Sequence, residues 1–314
     1  MTDTAHQPVL VNEVVAGLAP KANEIYVDAT FGRGGYTKAI LEAADCKVIG
    51  IDRDPEAVAV GREFETRYPN RFQILEGPFG EIETLLQDAN ISQVNGIAFD
   101  LGVSSPQLDT AERGFSFRQD GPLDMRMSRE GRTAADLVNQ TPEADLANII
   151  YQYGEERASR KIAKAIVEQR KLQKFTRTLE LAQLIEKIMP RRDETHPATK
   201  TFQALRIAVN GELDELQHGL QASENLLADQ GRLAVVTFHS LEDRIVKNFL
   251  REKAGRTARG SRHKPEIAVQ NTAAFELANT KAIAPSVEET RRNPRARSAK
   301  LRVAIRTREM PHAA

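Results

Sequence analysis

The run Asp28-Ala29-Thr30-Phe31-Gly32-Arg33-Gly34-Gly35 closes an apolar stretch, Ile25-Tyr26-Val27, and is followed by Asp52 twenty residues after Gly32. No other feature constrains the fold as much. A buried strand ends at Asp28, and three glycines in four positions let the backbone bend tightly and approach a ligand where a Cβ would clash. A helix follows over residues 36–44, and Val48-Ile49-Gly50-Ile51 reads as a second strand ending on Asp52, a carboxylate placed to accept from two ribose hydroxyls. Strand, glycine loop, helix, strand and acid, in that order, predict an α/β protein with a nucleoside pocket.

The loop also discriminates among nucleosides. In dinucleotide enzymes the third glycine of Gly-x-Gly-x-x-Gly allows tight helix packing over a pyrophosphate, but here Thr37 stands in that place. The Gly-Lys-Ser/Thr ending of a P-loop is missing too, so nothing is built to hold a triphosphate and its Mg²⁺. S-adenosylmethionine fits better. It has no phosphate, it offers a ribose to Asp52, and its cationic sulfonium favours a site rich in carboxylates, which Asp28, Asp52 and Asp100 supply.

Further strands are expected at residues 72–75 and 96–99, each running into a small-residue loop: Gly77-Pro78-Phe79-Gly80, then Asp100 to Gln107. Ligands of a parallel sheet sit beyond the carboxyl ends of its strands, so Gly34, Asp52, Phe79 and Asp100 should converge. From residue 133 to 190 only helix signals occur. Thr141-Pro142-Glu143 starts one helix, and Leu181, Leu184, Ile185 and Ile188 stripe another that Pro190 stops. A long helix over 199–227, halted by Asp229-Gln230-Gly231, leads to a fifth strand at 232–238. The cofactor domain is therefore expected to be discontinuous, residues 1–124 and 200–314, with a helical substrate-recognition insert at 125–199 acting as a lid. Residues 254–297 read as a loop that orders on binding, ahead of a last strand at 301–305.

Of the 314 residues, 40% are hydrophobic and 28% charged, enough for a sizeable core. The first six residues carry no secretory pattern, and no window approaches the roughly 18 apolar residues of a membrane span, which predicts a cytoplasmic protein without a membrane partner. One cysteine, Cys46, excludes an internal disulfide or a cysteine metal cluster, and the six histidines lack ligand spacing, so no metal is expected. Net charge is zero but uneven: residues 1–108 hold 8 basic against 16 acidic side chains, whereas 251–314 hold 15 against 6. That segregation is the electrostatic footprint of nucleic acid held away from the cofactor loop. With 5% aromatics and no tryptophan, a broad base-stacking platform is not expected.

Asp100-Leu101-Gly102-Val103-Ser104-Ser105-Pro106-Gln107-Leu108-Asp109 closely resembles the bacterial 16S ribosomal RNA cytosine-N4 methyltransferases, the small-subunit methyltransferase H or MraW family. The likeness continues through Glu112-Arg113-Gly114-Phe115-Ser116-Phe117, Gly121-Pro122-Leu123-Asp124-Met125-Arg126-Met127, Tyr153-Gly154-Glu155-Glu156-Arg157 and His196-Pro197-Ala198-Thr199. It goes on through Phe238-His239-Ser240-Leu241-Glu242-Asp243-Arg244 and Asn293-Pro294-Arg295-Ala296-Arg297-Ser298, and so covers nearly the whole chain. The resemblance implies a class I (Rossmann-like) methyltransferase sheet with an inserted all-helical substrate domain. It also implies transfer of a methyl from S-adenosylmethionine to N4 of one cytidine in the decoding region of 16S rRNA in the small ribosomal subunit. By matching positions, the cofactor contacts would be Gly34, Gly35, Tyr36, Asp52, Phe79, Asp100 and Gln107. Tyr36 departs from the family, which often has His there.

For catalysis the candidates are Asp100, Ser105 and His239. The exocyclic amine of cytosine is a weak nucleophile, and an acceptor beside it, either the Asp100 carboxylate or a carbonyl within 102–106, would draw off an N–H as the bond forms. Ser104-Ser105-Pro106 is either part of that acceptor site or a turn chosen for its shape, and His239 either faces the pocket or caps the next helix. Phosphate contacts would come from Arg113, Arg126, Arg292, Arg295 and Arg297 as a group. A non-catalytic rRNA-binding assembly factor is the alternative, distinguished by leaving cytosine mass unchanged. The sequence leaves the oligomeric state open.

Overall fold

The computed structural model describes residues 8–189, 196–256 and 273–307. The chain begins with α1 (Val11–Leu18), β1 (Ile25–Asp28), α2 (Gly35–Ala43), β2 (Lys47–Asp52), α3 (Pro55–Arg67), β3 (Phe72–Glu76), α4 (Ile82–Asp88) and β4 (Val94–Asp100). Then come α5 (Ser105–Asp109), α6 (Ala134–Gln140), α7 (Glu143–Gly154), α8 (Ser159–Leu172), α9 (Thr178–Ile188), α10 (Thr199–Asn210) and α11 (Glu212–Leu226). The last are β5 (Leu227–Thr237), α12 (Ser240–Lys253), β6 (Phe275–Leu277), α13 (Val287–Arg292) and β7 (Lys300–Arg306). Two compact units result, one from the described residues up to Gly102 and from Asp214 onward, the other from Val103–Leu213. No helix among the described residues is long and apolar enough to cross a membrane.

The first unit is built on a seven-stranded sheet in the order β3-β2-β1-β4-β5-β7-β6. Strands β1 to β5 are parallel, and β7 runs antiparallel to both β5 and β6. This is the α/β sheet expected from the sequence. Its order reverses direction between β1 and β4, and that switch point opens a crevice at the carboxyl edge. The central strands read as near-continuous apolar runs because both faces are covered. Val14, Leu18, Ile40, Leu41, Val58 and Phe64 from α1, α2 and α3 pack one face, and Ile82, Leu86, Leu216, Leu220, Val246 and Leu250 from α4, α11 and α12 pack the other.

The second unit is helical with its own core, in which Leu146, Ile150, Ile162, Ile166, Leu181, Ile185, Phe202 and Leu205 are buried. It is wider than the 125–199 insert read from sequence. The segment from Val103 to Met127 has few periodic apolar residues, yet Phe115, Leu123 and Met125 are buried in the helical core. Periodicity cannot detect such packing of irregular backbone.

Other expectations change. The single helix expected over 199–227 is two, because Gly211 takes a left-handed φ of 63° and ends α10. Asp229-Gln230-Gly231 does not stop a helix but lies within β5: pairing jumps from Val94 opposite Leu227 to Gly96 opposite Arg232, with Gln230 at φ 61°. The extra residues form a bulge while the ladder resumes beyond it. Helix α7 starts at Glu143 with Pro142 in the cap position, and Thr141 instead closes α6. Within the segment read as a loop, β6 pairs with β7 and α13 is capped by the Ser286 side chain. Residues 257–272 of that segment, and the stop at Pro190, lie outside the described residues.

Candidate active site

Three aspartates end three neighbouring strands. Asp28 is paired across the sheet with Gly50 and Ala98, so Asp52 and Asp100, each two residues farther on, project beyond it on either side at the carboxyl edge. The glycine loop closes over this edge. Phe31 N–H donates to the Ile51 carbonyl at 2.9 Å, Gly34 N–H to the Phe31 carbonyl at 2.7 Å, and Gly32 N–H to Asp52 Oδ2 at 2.8 Å. Asp52 Oδ1 accepts the Asp54 N–H at 2.8 Å. Asp52 thus fixes the loop with one lone pair on each oxygen and keeps further acceptor capacity for a ligand's hydroxyls.

The three glycines have different reasons. Gly34 has φ 75°, and a Cβ there would lie 2.7 Å from the Phe64 ring and 2.9 Å from Phe31, so the room it leaves is filled by the protein's own aromatic rings. A Cβ on Gly35 would meet Pro8 at 2.8 Å. Gly32, at φ 54°, has only the Thr30 carbonyl within reach at 3.8 Å, and its surroundings are open. Of the loop, Gly32 has open space beside it, whereas Gly34 and Gly35 permit packing.

Thr37, at the place of the missing third glycine, has a positive role. Its N–H and hydroxyl both donate to Asp28 Oδ2, at 3.0 and 2.8 Å, and tie the first turn of α2 to the end of β1. Asp28 is 1% exposed and its Oδ1 has no hydrogen-bond partner. Burial is the main cause that raises its pKa to about 6 against its ordinary 3.8, with the Thr37 bonds opposing; burial likewise lifts Asp52 to about 6, against the two backbone N–H groups. Asp100 is pushed well above the carboxylate range by burial first, then by the like charges of Asp28 and Glu242. Its Oδ1 is buried without a hydrogen-bond partner, and its N–H donates to Thr30 Oγ1 at 2.6 Å. The buried Tyr36 hydroxyl donates to the Val9 carbonyl at 2.6 Å and lies within reach of the Asp100 carboxyl, which raises the tyrosine's pKa further beyond the effect of burial.

These carboxyls make a pH prediction. Asp28 and Asp52 ionise near 3.8 in the unfolded chain but near 6 in the fold, so the folded state binds more protons between these values and stability falls as pH rises from about 4 to about 6. Asp28→Asn removes one such group. We expect its melting temperature to vary less than the wild type's across that window; an equal slope in both proteins would exclude a raised Asp28 pKa.

Phe79 sits in the short turn Phe79–Glu81 after β3, half-buried, its ring 5.6 Å from Phe99 and edge-on to it. Gly219 of α11 makes room, since a Cβ there would lie 3.1 Å from the Phe79 ring. Gly80 N–H donates to Glu215 Oε2 at 2.8 Å, which anchors the turn.

His239 caps α12. Its Nδ1 accepts the Glu242 N–H at 3.3 Å, while Glu242 Oε2 accepts the N–H groups of Phe238 and His239 at 2.8 and 3.2 Å. Nε2 lies 3.1 Å from Glu242 Oε1, out of line for a hydrogen bond. This is the capping reading of His239, and it engages the ring nitrogen a base would need. Ser105 and Gln107 belong to the helical unit. They sit in the first turn of α5, where the Ser104 side chain and Gln107 form a capping box and Gln107 Oε1 accepts the Ser104 N–H at 2.9 Å. The serine-proline turn has a structural role there.

The arginines also divide. Arg113 is buried, donates to the Arg126 and Met127 carbonyls at 3.1 Å each, and lies over the Phe115 ring. Arg126 grips Asp124 through two bonds of 2.9 and 2.7 Å. Arg292 pairs with Glu288, and Arg297 is exposed.

A sheet whose switch point carries a glycine loop and three carboxyls places the protein among the open α/β folds, whose ligand sites lie beyond the carboxyl ends of the strands. The model of the MraW methylase family matches residues 3–307. The chain is 58% identical over 309 residues to the Ribosomal RNA small subunit methyltransferase H of Paramagnetospirillum magneticum, covering 98% of this chain and 97% of that protein. Similar relatives of the same name occur in Rhodospirillum rubrum (53% over 309 residues, 97% and 95% covered) and in a Caulobacter species (54% over 305 residues, 96% and 93% covered). The chain belongs to the MraW methylase family, and its sheet is that of a class I (Rossmann-like) methyltransferase.

Proposed function

We propose that this protein uses S-adenosylmethionine to methylate N4 of a specific cytidine in the decoding region of 16S rRNA, acting in the cytoplasm on the small ribosomal subunit. The row of carboxyls at the switch point, Asp52, Asp28 and Asp100, carries the reading. Two of them keep a buried oxygen without a partner, Asp28 Oδ1 and Asp100 Oδ1, and such a site suits a ligand that brings positive charge and donors. The names borne by the relatives, which put ribosomal RNA of the small subunit as substrate, support the same reading.

When bound, the cofactor supplies an electrophilic methyl on a cationic sulfur. Asp52 would accept from the ribose hydroxyls, the Gly32 backbone would line the approach, and Phe79 would offer an apolar ring to the adenine. Gly34, Gly35 and Tyr36 hold the loop and the first turn of α2 in the shape this needs. The amine nitrogen reacts only when held in line with the methyl, so positioning supplies most of the rate. Asp100, whose surroundings raise its proton affinity, is when ionised a stronger base than a surface carboxylate, and it would take the proton that the amine loses as the N–C bond forms and the methyl leaves sulfur. The helical unit recognises the RNA around an extruded cytidine. Mass mapping of rRNA from cells lacking the protein tests this. One cytidine is expected to lose a methyl, which wild type restores and Asp100→Ala does not; unchanged mass in the deletion overturns the reading.

A further inference from the structure

The basic C-terminal segment is less available than its composition implies. Lys300 and Arg302 pair with Asp243 at 3.1 and 2.9 Å, Lys253 with Glu224, and Arg292 with Glu288. Arg306 is 4% exposed and donates to the Glu224 and Ala274 carbonyls. Five of the fifteen basic side chains of residues 251–314 are thus taken up within the protein, which turns attention to a second cationic surface.

Helix α8 and its flanks supply one. Residues 157–174 carry seven basic side chains, Arg157, Arg160, Lys161, Lys164, Arg170, Lys171 and Lys174, against a single acid, Glu168. Ile162, Ala163 and Ile166 face the helical core, whereas Arg160, Lys164 and Lys171, spaced at i, i+4 and i+11, share one exposed stripe. Lys164 approaches Glu168 only to 4.0 Å, and both side chains are mostly exposed, so that pair cancels little. Arg170 is engaged differently, donating to the Val138 and Thr141 carbonyls at 2.7 Å each, and serves as a structural tie. Two of the molecule's exposed large apolar side chains, Tyr151 at 59% and Leu172 at 84%, lie on α7 and at the end of α8. A cationic stripe on a unit that also exposes apolar side chains, with Leu172 next to Lys171, is suited to a phosphate backbone with splayed bases, since charges follow phosphates and apolar side chains pack against bases.

We propose that the exposed stripe Arg160, Lys164 and Lys171 on α8, together with the exposed Lys174 just beyond the helix, binds the phosphate backbone of the substrate RNA. This rests on the methyltransferase reading above, and it names the surface by which the RNA is held. Neutralised phosphates release counterions, so affinity depends on salt with a slope set by their number.

The test compares the full-length wild type with a variant in which these four residues are alanine, and with a control variant carrying Lys21→Ala, Arg62→Ala, Arg67→Ala and Lys281→Ala. Binding to deproteinised small-subunit rRNA is measured over a salt series. Each phosphate contact adds roughly 0.7–0.9 to the slope of log K against log salt, so the stripe variant should lose about three and the control almost nothing. S-adenosylmethionine affinity by calorimetry should be unchanged, with KM for the small subunit raised about tenfold and kcat held. Equal slopes in stripe variant and control overturn the proposal, and so does a loss seen only with assembled subunits, which would indicate a ribosomal protein as the partner. Absence of cytidine methylation by the wild type would instead defeat the underlying reading, an outcome distinct from either.

Discussion

Asp52→Ala is expected to lower S-adenosylmethionine affinity by at least about a hundredfold, with little change in thermal stability. Hydrogen bonds to a charged acceptor are worth roughly 1.5–3 kcal/mol each, and the proposal gives Asp52 two from the ribose, so the loss is about 3 kcal/mol or more. The fold loses less. Gly32 and Asp54 give up an acceptor for their N–H groups, but a carboxyl that burial and the charges of Asp54 and Asp28 disfavour is also removed. These terms oppose, and the melting temperature should move far less than the affinity. Asp52→Asn keeps one carbonyl acceptor and should fall in between. Calorimetric titration at pH 7 decides: wild-type affinity in Asp52→Ala would mean that Asp52 serves only to close the loop. For the wild type, affinity for this cationic ligand should rise with pH through about 6, because binding then meets carboxylates already ionised.

Much of the sheet could be read from the sequence because its central strands are buried on both faces and so appear as short apolar runs bounded by Gly, Asp and Pro. Asp28, Asp52 and Asp100 could be read for the same reason, as the polar residues that close those runs. What escaped depends on distant contacts. The three-residue strand β6 has no pattern of its own and exists by pairing with β7. Helix α1 follows a left-handed Leu10 whose N–H is held by Glu289, 279 residues away. The glycines invited a single explanation, yet the space beside Gly34 belongs to Phe31 and Phe64, which no local pattern shows. Thr37 looked like a departure from a motif and proved to be the partner of Asp28. Charge counts misled in a similar way. They register Arg302 and Arg306 as free cations, though one is paired with Asp243 and the other buried against carbonyls, and they average away the stripe on α8 because Glu143, Asp145, Glu155 and Glu156 lie nearby in sequence.

Gly121→Ala should be the most disruptive single methyl added to the helical unit. An added Cβ would lie 1.8 Å from the carbonyl oxygen of Ala111 and 2.6 Å from its carbon, and neither atom can rotate away as a side chain could. Relief requires moving a backbone segment that is held on the other side as well. Gly121 N–H donates to Thr178 Oγ1 at 3.1 Å, the Gly121 carbonyl accepts the Thr178 N–H at 2.8 Å, and Pro122 bridges to Arg177. The shift therefore loosens the start of α9, whose Leu181 and Ile185 are fully buried. Overpacking costs about 1–3 kcal/mol and each lost buried hydrogen bond about 1 kcal/mol more, so the total should reach about 3–5 kcal/mol. Gly114→Ala should behave similarly, with its Cβ 2.2 Å from the Pro122 carbonyl oxygen at φ 71°. Gly131 provides the contrast: it has a positive φ of 79° but nothing within 4 Å, and alanine there should cost only about 1 kcal/mol of backbone strain. Limited proteolysis and thermal melts of the three variants separate steric exclusion from conformational strain. If Gly121→Ala melts within about 2 °C of Gly131→Ala, the close approach of the 111 and 121 backbones is not a determinant of the helical unit's stability.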